Sequence, residues 1–191
     1  MAQKTIGILF ALIFCAPVLL HAADYQMDPA QSKIKFSVRA TVYTINGKAQ
    51  QSTGKVTFDL ASKTVSLPLS IEIPVKFLKT RNKLRDRDMR KMFEAEKYPV
   101  ILWTASKVDC GPGSALEFLT CQTSGTLRIR DVEKGVTFPV ELTLSEKAIR
   151  ADGLVRIQRD DFGLKTPSML GLIRVAQEVI VQFKTEWIQR S

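Results

Sequence analysis

Residues 33–42 read KIKFSVRATV. Ile34, Phe36, Val38, Ala40 and Val42 alternate with Lys33, Lys35, Ser37, Arg39 and Thr41. A period of two puts the apolar set on one face of an extended chain and the charged set on the other, whereas a helix would scatter both around its surface. The same pattern recurs outward from this stretch. Val65, Leu67, Leu69, Ile71 and Ile73 alternate with Ser66, Pro68, Ser70, Glu72 and Pro74; Val136, Phe138, Val140, Leu142 and Leu144 do so with Thr137, Pro139, Glu141, Thr143 and Ser145. Val179, Val181 and Phe183 form a last such set, and shorter runs at 55–60, 100–107, 126–130 and 150–158 bring the count to eight strands. One apolar and one wet face per strand is the pattern of antiparallel pairing. Eight such strands can close into a barrel whose interior either packs solid or holds one ligand.

Interruptions refine this all-β reading. Pro68, Pro74 and Pro139 have no N–H for a ladder and are expected at an edge, a bulge or a strand end. Asn46-Gly47, Gly111-Pro112-Gly113 and Asp152-Gly153 read as turns. No repeat or linker divides the chain, so one domain is expected. Only residues 76–91, KFLKTRNKLRDRDMRK, leave the strand pattern, with eight bases and two acids. Leu84, Met89, Met92 and Phe93 have helical spacing and Pro99 closes the segment, which predicts one short helix in a long basic connection. The commoner fate of such a run is a solvated loop with Met92 and Phe93 plugged into the core. The sharper one is a lid or docking surface facing anionic lipid headgroups.

The chain has 191 residues, 28 lysines and arginines against 19 acids, three cysteines and one histidine. Its beginning reads as a secretory leader: Lys4, then an apolar run from Ile6 to Leu20, then small residues that permit cleavage after Ala22. Residues 1–22 are therefore expected to be removed, leaving 23–191 as a periplasmic domain. The leader holds Lys4 and no acid, so 27 bases remain against 19 acids, a net charge of +8. It also holds His21, the only histidine. A mature chain without imidazole has no Ser-His-Asp triad, Cys-His pair or His-ligated metal.

Other routes to chemistry are equally thin. There is no G-x-S-x-G and no Walker A motif, and Ser52-Thr53-Gly54-Lys55 matches S-x-x-K only as four letters beside a strand. Asp86 and Asp88 adjoin Arg85 and Arg87, and Asp160-Asp161 adjoin Arg159, so these carboxylates are expected in structural ion pairs. Cys110 and Cys121, the two mature cysteines, form an even pair at short spacing, which in an exported chain predicts a disulfide. Neither a catalytic centre nor a cofactor or metal is expected. Nucleic acid is a poor partner for an exported chain whose basic run shows no aromatic stacking pattern interleaved with its charges.

Several motifs, in order along almost the whole mature sequence, resemble the YceI-like family of exported, lipocalin-like, polyisoprenoid-binding proteins. Residues 28–36, DPAQSKIKF, resemble its opening strand, and Arg85-Asp86 with Met89, Arg90 and Phe93, then Tyr98-Pro99, resemble its R-D-x-x-L…F…Y-P segment. Residues 125–130, GTLRIR, resemble its G-x-L-T-I-R strand, residues 159–163, RDDFG, its R-x-D-F-G turn, and Glu178-Val179 its closing strand. Gln31 and Asp88 stand where members often carry histidine, and Arg128 and Asp131 replace a threonine and a glycine.

The resemblance implies an extended eight-stranded antiparallel barrel around a pocket for one long isoprenoid lipid, such as a polyprenyl or quinone-like chain. Phe36, Val38, Leu67, Leu69, Ile71, Phe138, Val140, Val181 and Phe183 are the expected apolar lining, offering non-directional burial at ~0.8 kcal/mol per CH₂. Arg85, Asp86, Met89, Phe93, Arg159, Asp161 and Phe162 are the expected head end or lid, with the 76–94 segment governing access. The rival reading is a solid barrel that docks a protein or an anionic membrane surface through its basic segment. An integral outer-membrane barrel is disfavoured, because Lys33, Lys35, Arg39, Glu141 and Lys184 occupy the positions that would face lipid.

Overall fold

A computed structural model describes residues 22–112, 117–165 and 174–190. The expected leader falls outside them except for Ala22. Eleven strands are present: β1 (Ala23–Met27), β2 (Lys33–Ala40), β3 (Thr44–Ala49), β4 (Thr53–Asp59), β5 (Thr64–Pro74), β6 (Leu78–Lys79), β7 (Val100–Pro112), β8 (Phe118–Ile129), β9 (Val132–Leu144), β10 (Ala148–Gln158) and β11 (Val175–Gln189). One helix, α1 (Lys83–Met92), lies between β6 and β7, and 3-10 turns occupy Val75–Phe77 and Arg159–Phe162.

Pairing reduces the eleven segments to eight barrel strands. β2 pairs with β3 and β1 with β4, so β1–β2 and β3–β4 are two long strands, each interrupted once. β5 pairs with β4 and β6 with β3, which makes β5–β6 a third. β7 to β11 follow in sequence order, and β11 closes the ring by pairing with β2 over Val175–Lys184 and with β1 over Trp187–Gln189. Every pair is antiparallel, all but the closing pair join barrel strands next in sequence, and closure leaves no long free edge for aggregation. The extended eight-stranded antiparallel barrel implied by the resemblance, and permitted by the alternation, is what forms.

Alternating topology sorts the connections onto two ends. The β2–β3 turn, the β6–β7 connection carrying α1, the β8–β9 turn and the β10–β11 connection share the upper end. The β4–β5, β7–β8 and β9–β10 connections share the lower end with both termini of the described chain. Tyr25, Met27, Leu119 and Leu144 are buried at the lower end in one packed cluster. A second cluster, Val75, Leu78, Phe93, Ile101, Ile129, Phe162 and Leu164, packs at the upper end.

The α1 segment is built as the spacing predicted. Asn82 caps the helix, its side-chain oxygen accepting from the Arg85 amide at 3.0 Å. Phe93, just past the helix, is buried in the upper cluster, and Met89 and Met92 pack against it. Asp86 does not pair with Arg85: it is buried and accepts from the Thr80 amide at 2.8 Å and the Thr80 hydroxyl at 2.6 Å. Arg87 and Asp88 do form an ion pair, at 3.3 Å.

Cys110 and Cys121 face each other in the β7–β8 register and are disulfide-bonded. Pro74 ends β5, and Pro68 sits where the β4–β5 register shifts. Pro139 pairs with Gln122 of β8 but lies outside the β9–β10 ladder, which runs only from Val140 to Leu144.

Three details differ from the sequence reading. Asn46-Gly47 and Asp152-Gly153 are not turns but lie within β3 and β10. Gly47 is opposite Phe36 and Gly153 opposite Phe183, and a Cβ at either glycine would fall 2.1 Å or 2.3 Å from the ring. These glycines make room for aromatic rings lying flat on the wall. The alternation of the opening stretch also runs past its strand, since β2 ends at Ala40 and Val42 is in the turn. Leu67 shares the parity of Leu69 but is 45% exposed. It falls in the β4–β5 irregularity beside Pro68, where a bulge breaks the two-residue period.

Candidate functional site

The barrel is hollow. Between its two packed ends runs a cavity of about 490 Å³ walled by side chains from all eight barrel strands. A solid interior, the alternative that the alternation leaves open, is not the one the chain adopts. For scale, an engineered apolar cavity of about 150 Å³ stays dry and admits benzene. Roughly three times that volume takes on the order of 20 carbon atoms.

The wall is made by the inward parity of each strand. Phe36 and Val38 of β2, Leu69 and Ile71 of β5, Phe138 and Val140 of β9, and Val181 and Phe183 of β11 all line the cavity, and Leu67 does not. Strands that the alternation did not reveal contribute too: Ile45 and Ala49 come from β3, where Gly47 takes the intervening inward position. An inward row of Ile, Gly and Ala carries too little apolar bulk to register as a strand face. Rings form a continuous patch midway, with Trp103 and Phe138 centred 5.4 Å apart and Phe138 and Phe183 5.8 Å apart. Thr185 is one of few polar wall groups, and it is satisfied: its hydroxyl donates to the Ala151 carbonyl at 3.3 Å and accepts from the Trp187 indole at 3.0 Å.

Polarity appears where the wall reaches solvent. Tyr43, Asn82 and Leu84 are exposed, Arg85, Asp88 and Met89 are half-buried, and all six line the cavity. They belong to the β2–β3 turn and to α1, so the mouth opens at the upper end between these two elements. Arg85 is held there by its Nε donating to the Thr80 hydroxyl at 3.0 Å.

The remaining head-end candidates divide. Phe93 and Arg159 line the cavity, whereas Asp86, Asp161 and Phe162 do not. Phe162 is core and Asp161 is exposed on the outside. Arg159, 6% exposed, makes no ion pair with Asp160 or Asp161. Its Nε donates to the Ala176 carbonyl at 3.0 Å, and its two terminal nitrogens donate to Leu164 at 2.7 Å and Val175 at 3.1 Å. Burial pushes its pKa down, and the nearby Asp160 charge acts in the opposite direction. The guanidinium thus ties the 3-10 turn to the start of β11, with three of its five N–H donors committed to backbone carbonyls.

Among the described residues no cluster of three or more His, Cys, Asp or Glu side chains could hold a metal ion, and no helix is long and apolar enough to cross a membrane. The outer face of the barrel carries Lys33, Lys35, Arg39, Glu141 and Lys184, all exposed.

Residues 25–187 match the model of the YceI-like domain. The chain belongs to the YceI-like family. A search of curated proteins returned no match. Among solved structures, this YceI-like barrel is similar to BcnA of Burkholderia cenocepacia, with a TM-score of 0.70 and 21% identity over 84% of this chain and 98% of that one. It is similar to the same degree, TM-score 0.70, to a polyisoprenoid binding domain from Saccharophagus degradans implicated in plant cell wall breakdown, with 16% identity over 89% and 100% of the two chains. The YCEI protein of Campylobacter jejuni superposes with a TM-score of 0.64 and 22% identity over 79% and 88%. At these identities the likeness is one of fold.

Proposed function

We propose that this YceI-like chain binds one long-chain isoprenoid lipid non-covalently in its barrel, to sequester or carry it in the periplasm without transforming it. The observation that carries this reading is the cavity: about 490 Å³, walled almost wholly by aliphatic and aromatic side chains and reaching exposed residues at the upper end. Such a space rewards hydrocarbon in proportion to the area removed from water and asks for no directional contact along the chain. The polar groups at the mouth, Asn82, Arg85 and Asp88, suit a head that remains near solvent. Family membership supports the class of ligand, since a structural relative is a polyisoprenoid binding domain. A binding role also accords with the absence of histidine from residues 23–191.

The reading is tested by purifying the mature chain from a membrane-containing host, recording its native mass spectrum, and extracting it with organic solvent. One lipid per chain, recovered chemically intact, is the expected result. Protein with no lipid mass that also fails to take up a polyprenol or quinone from detergent sinks the reading.

A further inference from the structure

Six large apolar side chains are exposed among the described residues, and three of them, Val42, Tyr43 and Leu84, belong to the upper end, at 78%, 44% and 62% exposure. Tyr43 and Leu84 also line the cavity, so this apolar rim is the rim of the mouth. Around it lies the strongest charge on the molecule. Residues 76–91 carry eight bases and two acids, whereas the lower-end connections 60–63, 113–117 and 145–147 carry two of each. Lys83, Arg87 and Lys91 follow one another at four-residue spacing on α1 and are all exposed. Among the described residues, Arg87 is the one of these eight bases with an ion pair, to Asp88.

We propose that the upper end docks on an anionic phospholipid bilayer. Val42, Tyr43 and Leu84 enter the boundary between headgroups and acyl chains, and Lys83, Arg87 and Lys91 lie against lipid phosphates. The inference rests on the carrier reading and adds the source and destination of the ligand. Apolar insertion and basic attraction are each weak, and together they give reversible peripheral binding. The arrangement also answers a physical need. Each methylene that must pass through water lowers the aqueous population about fourfold, so a hydrocarbon of this length has to move between bilayer and barrel directly. Docking with the mouth downward provides that contact, and the near-neutral lower end fixes the orientation.

Flotation of the mature chain with phosphatidylcholine vesicles, with and without phosphatidylglycerol, is the test. Binding is expected only to the mixed vesicles and should weaken as salt rises. Lys83→Glu, Arg87→Glu and Lys91→Glu combined should lower the partition coefficient at least 100-fold. Val42→Asp should lower it about 10-fold, and Lys147→Glu at the lower end should leave it unchanged. None of these five residues lines the cavity, so co-purifying lipid should persist in every variant. Equal binding to both vesicle types, no binding to either, or a charge-reversed variant that binds like the wild type overturns docking while leaving the carrier reading intact if lipid still co-purifies. Binding to mixed vesicles by a chain that holds no lipid removes the carrier reading and leaves docking standing.

Discussion

Arg159 carries its charge into a nearly closed site and meets carbonyls rather than carboxylates. Its neighbours in sequence, Asp160 and Asp161, suggest an ion pair, because sequence shows adjacency but not the direction in which a turn sends each side chain. Arg159→Met should leave three carbonyls without donors and destabilise the barrel by about 3 kcal/mol, roughly 8 °C in the thermal midpoint. Arg159→Lys keeps the charge but replaces a fork with a single ammonium, and should lose part of that stability while retaining bound lipid. Loss of lipid from a well-folded Arg159→Lys variant would return this residue to a head-group role. Tyr25 presents the opposite case. Its hydroxyl is buried without a partner among the described residues, and burial pushes its pKa above the ordinary value of 10.0. Below that value Tyr25 is neutral in both states. As pH rises past it the unfolded chain ionises first, so stability falls until the folded phenol also titrates. Tyr25→Phe should therefore flatten the alkaline limb of the stability–pH curve. At pH 7 it should raise the thermal midpoint by about 2–4 °C, because a desolvated, unpaired hydroxyl is removed.

At the scale of strands and hairpins, the hollow interior depends on where the rings go. Phe36 and Phe183 each lie opposite a glycine on the neighbouring strand, and Trp187 packs over Gly54. An alanine at Gly47 or Gly153 would lift its ring off the wall and into the lumen. Each substitution should destabilise the fold by about 1–3 kcal/mol, reduce the length of chain the barrel accepts, and be partly rescued by Phe36→Leu or Phe183→Leu respectively. Thermal melts and uptake of a polyprenol length series measure both effects. These glycines also mark the limit of what sequence could tell. Asn-Gly and Asp-Gly are strong local turn signals, and only the cross-strand register, a long-range property, shows that ring packing governs these positions. Cys110–Cys121 was legible because an even pair at short spacing, in a chain whose beginning reads as an export leader, leaves few alternatives. Replacing both cysteines by alanine should cost about 2–3 kcal/mol in unfolding experiments, and should leave the barrel hollow although Cys121 lines it.

For the molecule as a whole, alternation specified most of the strands, and their one-sided apolarity permitted closure that the family resemblance made specific; neither alternation nor apolarity distinguishes a hollow barrel from a solid one. Inward parity named wall residues wherever a strand ran without a bulge, and failed at Leu67, where one intervenes. Tyr43 and Asn82 were not anticipated at the mouth, because they meet there only when a turn and a helix from distant parts of the chain share one end. Hollowness itself has a distinct energetic signature, and Val181 can report it. This residue pairs with Val155 and Phe36 in the two neighbouring strands and faces the cavity. In a solid core, Val181→Trp would overpack and lower stability by about 1–3 kcal/mol or more. In a hollow barrel the indole occupies space that lipid otherwise fills, so the delipidated variant should be at least as stable as the delipidated wild type. Lipid binding should fall together with that gain. For the wild type, ligand at about 1,000 times its Kd adds about 4 kcal/mol, near 10 °C in the midpoint, which delipidation removes and re-addition restores. In Val181→Trp that difference between loaded and stripped protein should shrink toward zero. A stripped variant that melts well below stripped wild type would mean that the interior tolerates no added volume, and that the space seen here does not persist without its ligand.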